Sequence, residues 1–114
     1  MGKQIRLENL IDAGIIKPEF RIHVSFRGRN FFADVDGDGF VLLEGRRHTS
    51  LSMAGGIVRA MVSGPPQDGK PYRRVNGWDF WSYTDDEGKS HKMDELRQRY
   101  RRIYLRGKPG NSPR

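Results

Sequence analysis

Three histidines are the side chains of this 114-residue sequence best suited to bind a metal ion or to move a proton near neutral pH: His23, His48 and His91. No two of them stand at a spacing typical of metal ligands, and ordinary strand or turn positions account for each one. The chain has no cysteine, which excludes thiolate metal sites, disulfides and cysteine nucleophiles.

Segments that could bind a nucleotide or carry a nucleophile lack the complete motifs. Gly37 and Gly39 form a G-x-G in which Leu42 stands where a dinucleotide-binding loop has its third glycine, and there is no Walker loop. Ser50 and Ser52 have no glycine elbow and no evident base. We therefore predict a protein that is not an enzyme, with no catalytic residue, no metal and no cofactor.

Asp34, Asp36 and Asp38 stand at alternate positions, as in a calcium-binding loop, and Gly39 takes the sixth position. The twelfth position, where an EF-hand has glutamate, is Gly45, and the residues between are typical of a strand. Asp and Gly tolerate the left-handed backbone conformations that tight hairpins require. We interpret the segment as a hairpin turn rather than as a calcium site.

Two arginines precede a serine pair that predicts the start of a helix. Arg46 and Arg47 come shortly before Ser50-Leu51-Ser52, in which either serine could be the N-cap. A helix N-terminus beside arginines suits a phosphate, so Arg46, Arg47, Ser50 and Ser52 are candidate DNA contacts. The alternative is a plain N-cap with solvated arginines.

A second candidate set follows a loop rich in proline and glycine. Arg73, Arg74 and Asn76 could contact phosphates or base edges, and Trp78 could stack on an exposed base. The alternative is that Asn76-Gly77 only makes a turn and that the two tryptophans, Trp78 and Trp81, fill the core. We expect at least one of them to be buried.

The excess positive charge lies entirely at the C-terminal end. Residues 1–88 hold 12 Lys/Arg and 12 Asp/Glu, whereas residues 89–114 hold 9 and 2, which accounts for the net +7. Arg99, Arg102 and Arg106 share one face of a predicted helix and could follow a DNA backbone. A solvated face or a solubilising tail is the alternative.

These residues must be positioned by short elements whose periodicity can be read along the chain. Helix-like spacing or capping signals appear at 6–13, from 51 to about 63 and at 94–105, and strand-like patterns at 21–26, 31–35, 40–43, 46–49, 78–83 and 89–91. This order predicts an α+β fold, with a small antiparallel sheet (a meander plus a hairpin) packed with about three helices. We expect one domain over residues 1–106 and a disordered basic tail over 107–114.

Several of these segments together resemble the restriction enzyme adenine methylase associated domain, RAMA. The resemblance is carried in order by Leu10–Pro18, Asp38-Gly39-Phe40, Gly45–Ala54, Asn76–Trp81 and Met93–Arg97, and it covers about residues 6–104. It implies a non-catalytic module, often fused to DNA methylases or restriction nucleases, that binds DNA and for which modified bases are a candidate ligand. The chain departs from the family in a long basic loop at 65–75 and in showing no attached enzyme. The stretch from Gly39 to Ser52 also resembles a small phage-type domain of unknown function.

The expected function is therefore a module that binds duplex DNA through a basic surface and that could sense methylated bases. The alternative is an adaptor that recruits a partner enzyme through an aromatic patch. No apolar run approaches the roughly 20 residues of a membrane span, and Met1–Arg6 contains no apolar signal segment. We expect a cytoplasmic protein without a membrane partner, and the oligomeric state stays open.

Overall fold

The computed structural model describes residues 4–64, 67, 69 and 75–105. The elements in chain order are α1 (Leu7–Asp12), β1 (Phe20–Phe26), β2 (Arg29–Val35), β3 (Val41–Leu43), β4 (Arg46–His48), α2 (Leu51–Ser63), α3 (Gly77–Phe80), β5 (Ser82–Thr84), β6 (Ser90–Lys92), α4 (Asp94–Tyr100) and a π-helical turn (Arg101–Leu105). The fold is α+β, as the sequence predicts. Most of the predicted loop at 65–75 and all of the predicted tail at 107–114 lie outside the described residues.

The strands form one antiparallel sheet in the order β4-β3-β2-β1-β5-β6. β1 and β2 pair along their full length, from Phe20 opposite Val35 to Phe26 opposite Arg29. The two-residue turn between them has positive φ at both Arg27 and Gly28, which matches the right-handed twist of the strands. The later hairpin joins the meander where β5 pairs with β1, so residues far apart in sequence share one sheet.

One face of the sheet is buried and the other is solvated, as alternation along β1 and β2 predicts. Ile22, Val24, Phe31, Ala33 and Val35 point into the core with the helices. Their neighbours, which include Arg21 and Phe32, lie on the open face. Within the described residues the helices pack on one side only, and the other side of the sheet is an open surface.

The predicted strand at 78–83 is wrong over its first half. Residues Gly77–Phe80 form the short helix α3, and only Ser82–Thr84 belong to the sheet. The predicted Asn76-Gly77 turn is likewise the start of this helix, because the Asn76 side chain accepts the Trp78 backbone N–H and acts as the N-cap. Side chains from Trp78 to Tyr83 therefore do not alternate between the two faces of a strand. The prediction that at least one tryptophan is buried is confirmed, because Trp81 is fully buried.

The last helical segment has the predicted extent but changes its hydrogen-bonding pattern, from α-helix to π-helix, after Tyr100. Gly55 allows α2 to pack closely on the following segment, because a Cβ there would lie 2.8 Å from side-chain atoms of Phe80 and Val75. Within the part of the chain that is described, no helix is long and apolar enough to span a membrane.

Candidate ligand-binding cleft

The start of α2 is tied directly to α3. Ser50 is the N-cap of α2, and its Oγ accepts the Met53 backbone N–H at 3.1 Å. Ser52 Oγ accepts the backbone N–H of Gly77 at 3.0 Å, across 25 residues of sequence. The two predicted motif segments, Ser-x-Ser and Asn-Gly-Trp, are therefore one structural unit.

Gly77 is required at this junction by space rather than by its backbone angles. A Cβ there would lie 2.3 Å from Ser52 N and 2.4 Å from the Leu51 carbonyl carbon, closer than any real side chain comes. The buried Trp81 indole strengthens the same junction, because its Nε1–H donates to the Leu51 carbonyl oxygen at 3.0 Å. The backbone of α3 is thus held against the first turn of α2.

This junction fixes Trp78, which is half-buried beside helix α4. The Arg97 guanidinium carbon lies 5.2 Å from the Trp78 ring centroid, a cation–π distance. Arg97 is itself oriented by Asp94, whose Oδ1 accepts its Nε–H at 2.7 Å. Arg97 is not among the predicted contacts, although it ends the Met93–Arg97 motif that carries the family resemblance.

A cleft of about 470 Å³ opens next to this unit. It is formed by four separate segments, and the residues that line it are Gln4, Ile5, Arg6, Leu7, Glu8, Asp38, Gly39, Phe40, Thr49, Ser50, Leu51, Ser52 and Trp78. Its volume is in the range of sites that bind small molecules or single bases. Of the predicted site residues, the structure brings Ser50, Ser52 and Trp78 together here.

The cleft wall that Phe40 forms is held in place by a network of charges. The Arg47 guanidinium carbon lies 4.0 Å from the Phe40 ring centroid. The same guanidinium pairs with Asp36 at 3.0 Å and with Asp38 at 3.4 Å. Arg47 therefore stabilises the turn that carries Phe40, in addition to being a predicted phosphate contact.

Asp36 organises the segment between β2 and β3, for which the sequence predicts a hairpin turn rather than a calcium site. Its Oδ1 accepts the backbone N–H of Asp38 at 2.9 Å and of Phe40 at 3.0 Å. Burial raises the pKa of Asp36, but these backbone hydrogen bonds and the pairing with Arg47 outweigh it, so that the pKa lies below its ordinary value. In the described ranges, no group of three His, Asp or Glu side chains is placed to hold a metal ion.

The other predicted contacts lie away from the cleft lining. Asn76 faces a second cleft of about 470 Å³, which it shares with Phe26, Arg59 and Asp79. Arg46 is exposed on β4, which forms one edge of the sheet. Arg99 and Arg102 are exposed on the last helical segment. Arg73, Arg74 and Arg106 lie outside the described residues.

Arg97 and Arg99 mark two different flanks of α4. Arg97 contacts Trp78, whereas the charge of Arg99 acts on Tyr83, at the hairpin of β5 and β6. Burial raises the pKa of Tyr83, and Arg99 partly opposes this. The predicted arginine stripe thus starts on the hairpin side of α4. Arg97, which contacts Trp78, and Arg6, which lines the cleft, are cations that the prediction missed.

The fold and the cleft define a small α+β domain in which short, separated motifs surround one half-buried tryptophan. Residues 1–106 match the family model described as Restriction Enzyme Adenine Methylase Associated, RAMA. The chain belongs to the RAMA family, which confirms the resemblance predicted from its motifs and associates it with restriction-modification systems. No match was found among curated proteins.

Proposed function

We propose that this chain is a non-catalytic module that binds duplex DNA and receives one base, methylated or unmodified, in the cleft beside Trp78. The observation that carries the proposal is the convergence of separate motif segments, represented by Phe40, Ser52 and Trp78, on that one cleft. Each segment is too short to form a site alone. Their common cleft gives a reason for their presence in one chain.

The walls of the cleft suit a flat, apolar ring whose edge carries hydrogen-bond donors. Trp78 and Phe40 supply aromatic surface for stacking, and each has a guanidinium near its ring. Glu8 and Asp38 supply carboxylates in the same lining. A carboxylate accepts hydrogen bonds from an exocyclic amino group, which adenine and cytosine carry.

The basic surface supplies the sequence-independent part of the affinity. The net +7 comes from residues 89–114, and Arg46, Arg99 and Arg102 are exposed cations among the described residues. Each phosphate contact adds close to one unit to the slope of log affinity against log salt concentration. We assign phosphate contact to these three arginines and propose Arg73, Arg74 and Arg106 as further contacts.

A base can enter the cleft only after it leaves the helical stack, which costs a few kcal/mol in a paired duplex. A mismatch removes part of this cost because the base is already poorly paired. A duplex with one central mismatch is therefore expected to bind more tightly than its fully paired counterpart.

The non-catalytic part of the proposal is supported by the roles of the two serines. Ser50 Oγ accepts the Met53 backbone N–H as the N-cap of α2, and Ser52 Oγ accepts the Gly77 backbone N–H. Both hydroxyl groups therefore have a structural role. The alternative function, an adaptor with an exposed aromatic patch, required a tryptophan away from arginine. Trp81 is fully buried and Trp78 lies beside Arg97, and neither fits that requirement.

The test is a titration of a fluorescently labelled duplex over a salt series with three variants. Trp78→Ala removes the stacking surface and is expected to weaken binding about tenfold without changing the salt slope. Arg46→Glu is expected to lower the slope by about one unit. Met61→Ala changes an exposed apolar side chain on α2 and is the matched control.

Intrinsic fluorescence gives an independent reading, because the chain has two tryptophans and Trp81 is fully buried. DNA is expected to quench the wild-type emission and to leave that of Trp78→Phe nearly unchanged. Unaltered affinity in both Trp78→Ala and Arg46→Glu, with circular dichroism spectra like that of the wild type, would overturn the proposal.

A further inference from the structure

The open face of the sheet carries an exposed aromatic ring at its centre. Phe32 on β2 is 57% exposed, the largest exposed fraction among the large apolar side chains of the described residues. Exposed apolar side chains are common singly, so exposure alone indicates nothing. The neighbours of this ring, however, are polar and cationic.

Two side chains of β1 flank the Phe32 ring. His23 is its direct cross-strand partner, and the two ring centroids lie 6.4 Å apart. The Arg21 guanidinium carbon lies 5.8 Å from the Phe32 centroid, and Arg21 is held by a 2.7 Å ion pair with Asp34. A phenyl ring, an imidazole and a fixed guanidinium thus form one platform on two adjacent strands.

The platform continues as a row across the sheet. Ser82 on β5 pairs with His23, and Lys92 on β6 pairs with Ser82, so that the row runs Phe32, His23, Ser82, Lys92. With strands about 4.8 Å apart, the row spans roughly 14 Å. His23 is further fixed by Thr84, because its Nε2 lies 3.0 Å from Thr84 Oγ1. The row begins with an aromatic surface and ends with an exposed ammonium group.

We propose that this open face binds an unpaired stretch of DNA, with a base stacked on Phe32 and the backbone directed toward Lys92. Stacking on an exposed ring combined with cations along the strand is the general means by which proteins hold single-stranded nucleic acid without reading its sequence. The inference rests on the proposed function in that the ligand is DNA. It places a second contact on the face opposite to the helices, apart from the cleft.

The composition of the face favours this ligand over an apolar protein partner. Among the residues described above, this face has two basic side chains, Arg21 and Lys92, and one carboxylate, that of Asp34. The hydroxyl of Ser82 lies between His23 and Lys92 in the row. A protein interface of the usual kind has an apolar centre that is depleted of charge. An aromatic ring flanked by a guanidinium and an imidazole, with a hydroxyl and an ammonium group farther along the row, is better matched to a base and its phosphate.

The experiment measures binding of a fluorescein-labelled oligothymidylate, which has no stable secondary structure, and of a blunt duplex. Phe32→Ala is expected to weaken oligothymidylate binding about tenfold at every salt concentration, since stacking does not release ions. Phe32→Trp retains a stacking surface and is expected to restore the binding. Lys92→Ala is expected to lower the salt slope by close to one unit.

Met61→Ala is again the control for loss of exposed apolar surface. Equal oligothymidylate binding by Phe32→Ala and Met61→Ala would overturn the inference, and so would a concentration-dependent dimer that Phe32→Ala dissociates. The proposed function is judged separately. If duplex binding depends on Trp78 but Phe32→Ala has no effect, the proposed function holds and the inference is overturned. If Phe32→Ala weakens the binding of oligothymidylate alone, the inference is supported.

Discussion

The backbone N–H of Gly77 donates to Ser52 Oγ at 3.0 Å, and this contact joins the N-termini of two helices that are 25 residues apart in sequence. The contact places Trp78 at the side of the cleft that the first turn of α2 also lines. The cleft therefore depends on a helix-to-helix approach close enough to exclude any side chain at position 77.

Gly77→Ala should strongly destabilise the fold. The added methyl group would overlap the Leu51 and Ser52 backbone, which cannot rotate away as a flexible side chain could. We expect a loss of about 3 kcal/mol in the free energy of unfolding, measured by urea denaturation. Gly37→Ala is the control, because a Cβ there would lie at an ordinary 3.7 Å from Pro18. Similar unfolding midpoints for the two variants would contradict this role of Gly77.

Ser52→Ala should lower stability by about 1 kcal/mol, because the Gly77 N–H loses its acceptor and gains only partial access to water. Ser25→Ala, an exposed serine on β1, should stay within about 0.5 kcal/mol of the wild type. Thermal unfolding followed by circular dichroism makes the comparison. Indistinguishable unfolding curves for these two variants would show that the Ser52 hydrogen bond contributes nothing.

Arg46→Glu and Arg47→Glu should differ in stability although the residues are adjacent. Arg47 pairs with Asp36 and Asp38, so the reversed charge would repel both carboxylates and remove the cation from Phe40. Partly exposed pairs of this kind contribute about 0.2–1 kcal/mol each, and we expect a loss of about 1–2 kcal/mol for Arg47→Glu. Arg46→Glu should unfold like the wild type in differential scanning calorimetry. A loss of stability for Arg46→Glu equal to that for Arg47→Glu would contradict the internal role of Arg47.

His91 should make stability fall as the pH rises above about 6.5. Its Nε2 lies 2.6 Å from Asp85 Oδ2 and its Nδ1 lies 3.0 Å from Glu95 Oε1, so both nitrogens can donate only when the ring is protonated. The hydrogen bond to Asp85 is the main cause that raises the pKa of His91, burial opposes it, and Glu95 adds to it. A raised pKa in the folded state stabilises the protein below the unfolded pKa, and this stability is lost as the pH passes through the folded value.

The readout is the difference in melting temperature between wild type and His91→Gln from pH 5.5 to pH 8.5, roughly one to two units on either side of the unperturbed value. The difference should be largest at acidic pH and should shrink as the pH rises. The pKa of His48 is lowered, first by burial and then by Arg46, and its contribution has the opposite sign. It is present in both proteins and cancels. A difference that does not vary with pH would contradict the proposed role of His91.

Local patterns predicted the meander because its strands are determined by near neighbours. Alternation of Ile22 and Val24 with polar residues and the Asp-Gly turn are enough to form hairpins whose partners are close in sequence. The helix at Gly77–Phe80 was missed because an asparagine before a glycine fits both a turn and an N-cap. Only the approach of Leu51 and Ser52, far away in sequence, decides between them.

Only part of the candidate site was predicted, because local motifs reveal some of its residues and contacts distant in sequence determine the rest. Ser50, Ser52 and Trp78 belong to recognisable motifs and do line the cleft. Arg97 carries no local signal that separates it from the other arginines of a basic segment, apart from its place in the Met93–Arg97 motif. Arg47 pairs with Asp36 and Asp38, which belong to the turn between β2 and β3. Only the pairing of β3 with β4 brings Arg47 next to these two carboxylates.

The most direct test of the DNA proposal compares two duplexes of one sequence, unmodified and with N6-methyladenine, over a salt series. A methyl group buried against Trp78 and Phe40 contributes about 0.8 kcal/mol, so we predict steeply salt-dependent binding with about a fourfold preference for the methylated duplex. Equal affinities would contradict a methyl group buried against Trp78 and Phe40. No binding of either duplex at low salt would contradict the assignment of DNA as the ligand.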